Sequence, residues 1–190
     1  MKTSQRGIDL IKEFEGFVGY AYKALPSEEC YTIGYGHCSP SVKETDTISR
    51  EDAEKLLADD LAYYELSVDL YKDKYHWTQS EYDALVSFAY NVGNIRQLTQ
   101  YGTRSKAEIA DAMLLYVHDG NGNTIEGLVR RRERERDMFL DNIPLCEKYT
   151  ESSTIDDIVD GVMDGEFGND EDRKNNIYNL IQTFVNRRFS

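Results

Sequence analysis

The chain has no run of apolar residues approaching the roughly 20 needed to cross a bilayer. Its first residues, Met1-Lys2-Thr3-Ser4-Gln5-Arg6-Gly7, carry no apolar signal region, so export by the general secretory route is not expected. Basic residues are scarce: 22 Lys and Arg face 35 Asp and Glu, for a formal net charge of −13. A field of that sign repels nucleic acid, anionic lipid and anionic wall polymers, which excludes non-specific binding to them. Cysteine is limited to Cys30, Cys38 and Cys146, an odd set matching no zinc pattern. Cys30 and Cys38 are close enough to meet across a hairpin, but free thiols in a reducing compartment are the expectation. Histidine occurs only at His37, His76 and His118, with no His-Glu-x-x-His motif, phosphate loop or dinucleotide fingerprint. No metal or organic cofactor is implied.

What is present is enough for one well-cored domain and a small appendage in 190 residues. Ile8, Leu10, Ile11 and Phe14 have helical spacing and predict a helix ending at Glu15-Gly16. Residues 17–38 read as two short strands around the turn Leu25-Pro26-Ser27-Glu28-Glu29. Ser49 is a helix cap, and Ala53, Leu56, Leu57 and Leu61 give the following helix a buried stripe to about residue 72. Thr78 with Glu81 forms a capping box before the strongly apolar Tyr82–Tyr90 segment. Ser105 opens a helix with Ile109, Ala112, Met113 and Val117, and Leu128–Leu140 forms another. Residues 141–153 look like a connection, after which Ile155–Val162 and Ile177–Val185 regain helical periodicity. Forty residues of short helices make a marginal core alone.

Glu15 is the leading chemical candidate. A carboxyl at a helix end beside Phe14, Phe17 and the Tyr20 region can be kept protonated by desolvation and used as a proton donor. The plainer alternative is a solvated glutamate in a last helical turn. Gly34 and Gly36 equally suit a tight hairpin, His37 a satisfied structural histidine, and Asn91 with Gly93 a helix C-cap. The run Arg130–Arg136 reads as a solvated, salt-bridged face, with Arg131 as a candidate buried brace. A thiol peptidase built on Cys30 or Cys38 with His37 lacks any sign of an orienting partner.

Glu15-Gly16, Tyr22 and Thr32-Ile33-Gly34-Tyr35-Gly36-His37 together resemble the active-site segment of the phage-type lysozymes, a glycoside hydrolase family. Ala53–Leu61, Ser87–Gly93, and Gly127-Leu128-Val129 with Arg131, Arg132 and Glu135 follow in the family's order, so the likeness covers about residues 4–140. The resemblance implies an α+β, lysozyme-like fold: a small β-hairpin lobe, a larger helical lobe and a short all-helical C-terminal segment. It implies hydrolysis of the β-1,4 bond between N-acetylmuramic acid and N-acetylglucosamine, with inversion. Glu15 would be the general acid and Thr32 would position the attacking water, while His37, Asn91 and Arg131 would support the cleft. The chain departs from the family at Ala24, where a second carboxylate is usual. Its turn is also about two residues longer, which makes Glu28 or Glu29 the candidate substitute, with Glu28 favoured. A catalytically impaired peptidoglycan-binding protein and a lytic transglycosylase remain alternatives.

The C-terminal segment resembles a short helical cell-wall-binding repeat of phage lysozymes from Gram-positive hosts, which makes Phe167, Asp172 and Arg173 wall-binding candidates. Asp170 and the Ile177-Tyr178 junction depart from that repeat. The expected organisation is a catalytic domain over residues 1–142, a linker over 143–153 and a helical module or extension over 154–190. The expected partner is peptidoglycan of a Gram-positive host, with no nucleic acid and no membrane span. The protein is expected in the host cytoplasm until a holin permits lysis, and then at the wall.

Overall fold

The computed structural model describes residues 1–23, 25, 28–140, 158, 177–178 and 180–181. The chain divides into two compact units, Met1–Asp141 and Asn142–Ser190. The described residues of the second unit, Ile158, Ile177, Tyr178, Leu180 and Ile181, are helical. Phe167, Asp172 and Arg173 lie outside the described residues, as does Ala24.

The first unit runs α1 (Gln5–Glu15), β1 (Val18–Tyr22), β2 (Tyr31–Gly34), β3 (His37–Ser39), α2 (Arg50–Asp69), α3 (Lys72–Tyr75), α4 (Gln79–Val92), α5 (Lys106–Met113) and α6 (Glu126–Phe139). It is an α+β, lysozyme-like arrangement of a small sheet lobe and a larger helical lobe. The sheet is an antiparallel meander of order β1-β2-β3. Thr32 stands opposite both Tyr22 and Cys38 in the middle strand.

α4 is the hub of the helical lobe and packs against α1, α2 and α6. Tyr82, Leu85, Val86, Phe88 and Ala89 are all fully buried on it. It is apolar on almost every face because neighbours cover almost every face. Its start is set locally: the Thr78 side chain accepts from the Glu81 N–H, and Glu81 accepts from the Thr78 N–H at 2.8 Å. Ser105 and Glu108 repeat the device at α5. α1 closes on α4 through Gly7, where an added Cβ would lie 2.9 Å from the Asp83 side chain. Asp83 also accepts from the Ser4 N–H at 2.8 Å and from the Ser4 hydroxyl, which ties the start of α1 to α4.

Several boundaries differ from expectation. Two strands were expected and three form, because the residues after the Gly36 turn fold back to pair with β2. The helix expected to reach residue 72 stops at Asp69 and is followed by the one-turn α3. α5 ends at Met113, before Val117, whose carbonyl instead accepts from Ile125 N–H at 2.8 Å. α6 starts two residues early, at Glu126.

The free-thiol expectation is overturned for two cysteines. Cys30 and Cys38 form a disulfide with a Cα–Cα distance of 5.8 Å, inside the usual range. The cause is the third strand, which carries Cys38 back alongside β2. Among the described residues, no helix is long and apolar enough to cross a membrane.

Closing a loop of this length contributes about 2.5 kcal/mol in the chain-entropy picture. Cys30→Ser should therefore lower the free energy of urea unfolding by about that amount. Glu65 supplies a pH-dependent term. Burial pushes its carboxyl up, but bonds from Lys2 and from the Thr3 N–H and hydroxyl prevail and hold it below the usual range. The folded state thus binds this proton more weakly than the unfolded chain. Its contribution is complete above the unfolded value of about 4.3 and is lost as pH falls through the lower folded value. Unfolding of Glu65→Gln, followed from pH 7 to pH 3, should show less stability at neutral pH and a shallower acid loss than the parent.

Candidate active site

Glu15 is the last residue of α1, where the chain turns out of the helix at Gly16 (φ 69°) and the Gly16 N–H closes on the Lys12 carbonyl. The helix end points its carboxylate between the two lobes. On one side, Arg131 Nη1 donates to Glu15 Oε1 at 2.6 Å. On the other is the β2–β3 turn. A Cβ on Gly36 would stand 3.3 Å from Glu15 Oε2 and 3.5 Å from the Tyr90 hydroxyl, and Gly36 has a φ of +93°. Glycine is needed there both for the left-handed backbone and for the close approach. The Tyr90 hydroxyl, on α4, donates to the Tyr35 carbonyl at 2.8 Å, which pins the hairpin to the helical lobe. Burial pushes the Tyr90 and Tyr64 hydroxyls upward, with nearby Asp60 and Glu15 adding to the effect, so both remain neutral donors at any physiological pH.

Arg131, set apart in the arginine run as a candidate buried brace, is buried, whereas the burial of Arg132 and Glu135 departs from the solvated face expected of that run. Arg131 Nε donates to Glu135 Oε1 at 3.0 Å and its Nη2 to the Ser87 carbonyl at 3.3 Å. The guanidinium carbon lies 5.5 Å from the Phe14 ring centre. Arg132 is also buried: its Nη2 donates to Asn91 Oδ1 at 2.6 Å and its Nη1 pairs with Glu135 Oε2 at 2.9 Å. Glu135 is fully buried and also accepts from the Ser87 hydroxyl at 2.7 Å. Burial pushes the Glu135 carboxyl up, and the two guanidiniums pull it back toward the ionised form. Burial pulls Arg132 down and the neighbouring Arg131 charge adds to this, against the Glu135 charge.

A cavity of about 530 Å³ opens over this cluster, with Phe14, Glu15, Asn91, Leu128, Arg130 and Arg131 in its wall. The structure thus brings together three residues singled out from sequence: Glu15, Asn91 and Arg131. His37 is half-buried on β3 with Nδ1 2.8 Å from Asp60 on α2, a partner that sequence spacing did not suggest. Thr32 is half-buried in β2, and Glu28 and Glu29 lie on the loop leading to the disulfide; none of the three lines this cavity. Glu28 is held through its backbone, its N–H donating to Leu25 and its carbonyl accepting from Lys23 Nζ at 2.6 Å. Glu29 is exposed. Ser87, Tyr90 and Asp60 were not read as site residues. Only the Arg131–Glu135 spacing of four carried a readable signal of pairing. Among the described residues no group of three His, Cys, Asp or Glu side chains is placed to hold a metal ion.

A helix-end glutamate under a glycine turn, at the junction of a small sheet and a helical lobe, is the arrangement of a lysozyme-like protein. The chain belongs to the phage lysozyme family, whose profile matches residues 12–135. It is 47% identical over 144 residues to an endolysin of Bacillus phage B103, covering 74% of this chain and 54% of that protein. Among solved structures it matches the muramidase domain of SpmX from Asticaccaulis excentricus, with TM-score 0.64, 34% identity, and coverage of 73% of this chain and 97% of that one. It also matches an endolysin from Escherichia coli O157:H7 phage FAHEc1, with TM-score 0.62, 33% identity, and coverage of 75% and 96%. The chain spans only 54% to 62% of the length of the Bacillus and Lactococcus phage endolysins it matches.

Removing the Arg131 charge leaves Glu135 and Glu15 with less compensation, a defect that costs about 3–5 kcal/mol at buried ion pairs. Arg131→Met should lower the urea midpoint accordingly, far more than Arg130→Met on the exposed face of the same helix.

Proposed function

We propose that this chain is a muramidase that hydrolyses the β-1,4 bond between N-acetylmuramic acid and N-acetylglucosamine in peptidoglycan. The observation that carries the reading is Glu15, held by Arg131 at 2.6 Å in the wall of a cavity lined from α1, α4 and α6. Bond cleavage at a sugar acetal needs a proton on the leaving oxygen, and Glu15 is the donor in this reading. Thr32 holds the attacking water, and His37, braced by Asp60, supports the hairpin. Asn91, fixed by Arg132, and Arg131 form the cleft wall. The second carboxyl group comes from the loop of Glu28 and Glu29. Glu28 is the favoured member, since its loop is fastened at both ends, by the Lys23 bond and by the Cys30–Cys38 disulfide. Inversion follows if water stands between the acid and that base.

In this reading residues 1–142 carry catalysis, 143–153 link, and 154–190 bind the wall through Phe167, Asp172 and Arg173. The protein waits in the cytoplasm of a Gram-positive host until a holin opens the membrane. The net charge of −13 supports specific recognition of the wall over electrostatic adhesion.

Digestion of purified peptidoglycan, with new ends identified by mass spectrometry, tests the proposal. The parent should release reducing muramic ends, and Glu15→Gln should reduce the rate by on the order of 10²-fold or more. Glu28→Gln should lose activity, whereas loss only in Glu29→Gln reassigns the base. Anhydromuramic ends would identify a transglycosylase. Binding without cleavage by the parent on several wall types would leave a peptidoglycan-binding protein.

A further inference from the structure

We propose that Glu135 is a positioning residue for the site, acting through Arg131 on Glu15. The inference rests on the muramidase reading for its kinetic consequence, but its geometric content stands apart from it.

Glu135 touches neither the cavity nor Glu15. It is fully buried on α6: Oε1 accepts from Arg131 Nε at 3.0 Å, while Oε2 stands 2.9 Å from Arg132 Nη1 as an ion pair without hydrogen-bond geometry. Each arginine then extends past it to a different wall residue. Arg131 Nη1 reaches Glu15 Oε1 at 2.6 Å, and Arg132 Nη2 reaches Asn91 Oδ1 at 2.6 Å. A guanidinium is planar and its donors are fixed relative to one another. Once Nε of Arg131 is committed to Glu135 and Nη2 to the Ser87 carbonyl, the direction of Nη1 is decided. Glu135 is itself held, by the Ser87 hydroxyl at 2.7 Å. Glu135 therefore sets the Arg131 fork, and that fork sets Glu15 at the end of α1, while Arg132 holds Asn91 separately.

Packing alone does not call for this arrangement. Three ionised groups with little or no exposure carry a large desolvation cost, and apolar residues of similar size commonly serve a core as well or better. Glu135 lies within ion-pair distance of both Arg131 and Arg132. Positioning of Glu15 is a use that apolar replacements would not provide.

The test is Glu135→Gln in the full chain, which keeps the shape but removes the charge and one of the two acceptor oxygens facing Arg131 and Arg132. On soluble glycan strands from peptidoglycan, kcat should fall on the order of 10-fold to 100-fold with KM within about twofold, as expected when a reacting group is misplaced and binding area is kept. Assays are run well below the melting midpoint of each variant, so a purely structural role predicts an unchanged kcat in the folded fraction, and that result overturns the proposal. Ser87→Ala serves if Glu135→Gln does not fold: it removes only the hydroxyl holding Oε1 and should lower kcat in the same sense by a smaller factor, while an unchanged kcat there also overturns it. Nitrogen-15 NMR gives a readout independent of activity. The Arg131 Nε–H should be a slowly exchanging, resolved signal in the parent and should shift and exchange faster in either variant. Its persistence unchanged in both overturns the proposal. If the parent cleaves no wall but the Nε–H responds as described, the positioning stands and the muramidase reading fails.

Discussion

The rest of this site depends on a pair of arginines sharing one buried carboxylate. Arg131 and Arg132 are adjacent on α6 and leave the helix about 100° apart, yet both reach α4, at Ser87 and at Asn91. Glu135, four residues after the first and three after the second, lies between them and meets both. Through this cluster α6 is fastened to α4 at Ser87 and Asn91 and to α1 at Glu15. Hydrophobic burial brings these helices together, but it is non-directional. The charge cluster supplies direction through its hydrogen bonds from Arg131 to Glu135, Ser87 and Glu15 and from Arg132 to Asn91, each of which has a required geometry.

The small lobe meets this frame at few points, and each is specific. Gly36, with a left-handed φ of +93°, lies close against Glu15 and Tyr90. Tyr90 reaches the Tyr35 carbonyl, and His37 reaches Asp60 on α2. The disulfide then fixes the approach to β2. A hairpin of this size is marginal by itself, so its conformation is inherited from these anchors.

The local features of the fold were legible in the sequence because their causes are local. The Thr78-x-x-Glu81 and Ser105-x-x-Glu108 boxes state where α4 and α5 begin, and both form. Glu15-Gly16 marked the end of α1 to the residue, since a glycine there lets the chain leave the helix with positive φ. Other features depended on partners far along the chain. The run Arg130–Arg136 has the composition of a surface, yet Arg131, Arg132 and Glu135 are buried in it. Charged residues enter a core only when opposite charges meet them there, and Glu15 lies 116 residues from Arg131. The cysteines were misjudged for a related reason: their pairing requires β3, three residues long and too short to announce itself by alternation.

The sequence by itself determined the helix starts, the glycine turn, the helix-end carboxyl and the family likeness, all of which are written in neighbouring residues. Tertiary structure alone decided that Arg131 faces Glu15, that Arg132 holds Asn91, that Asp60 receives His37 and that Cys30 joins Cys38. Those contacts bring together elements whose separation along the chain encodes no distance. Their partners are chosen by packing around α4, and only then by the balance of charge.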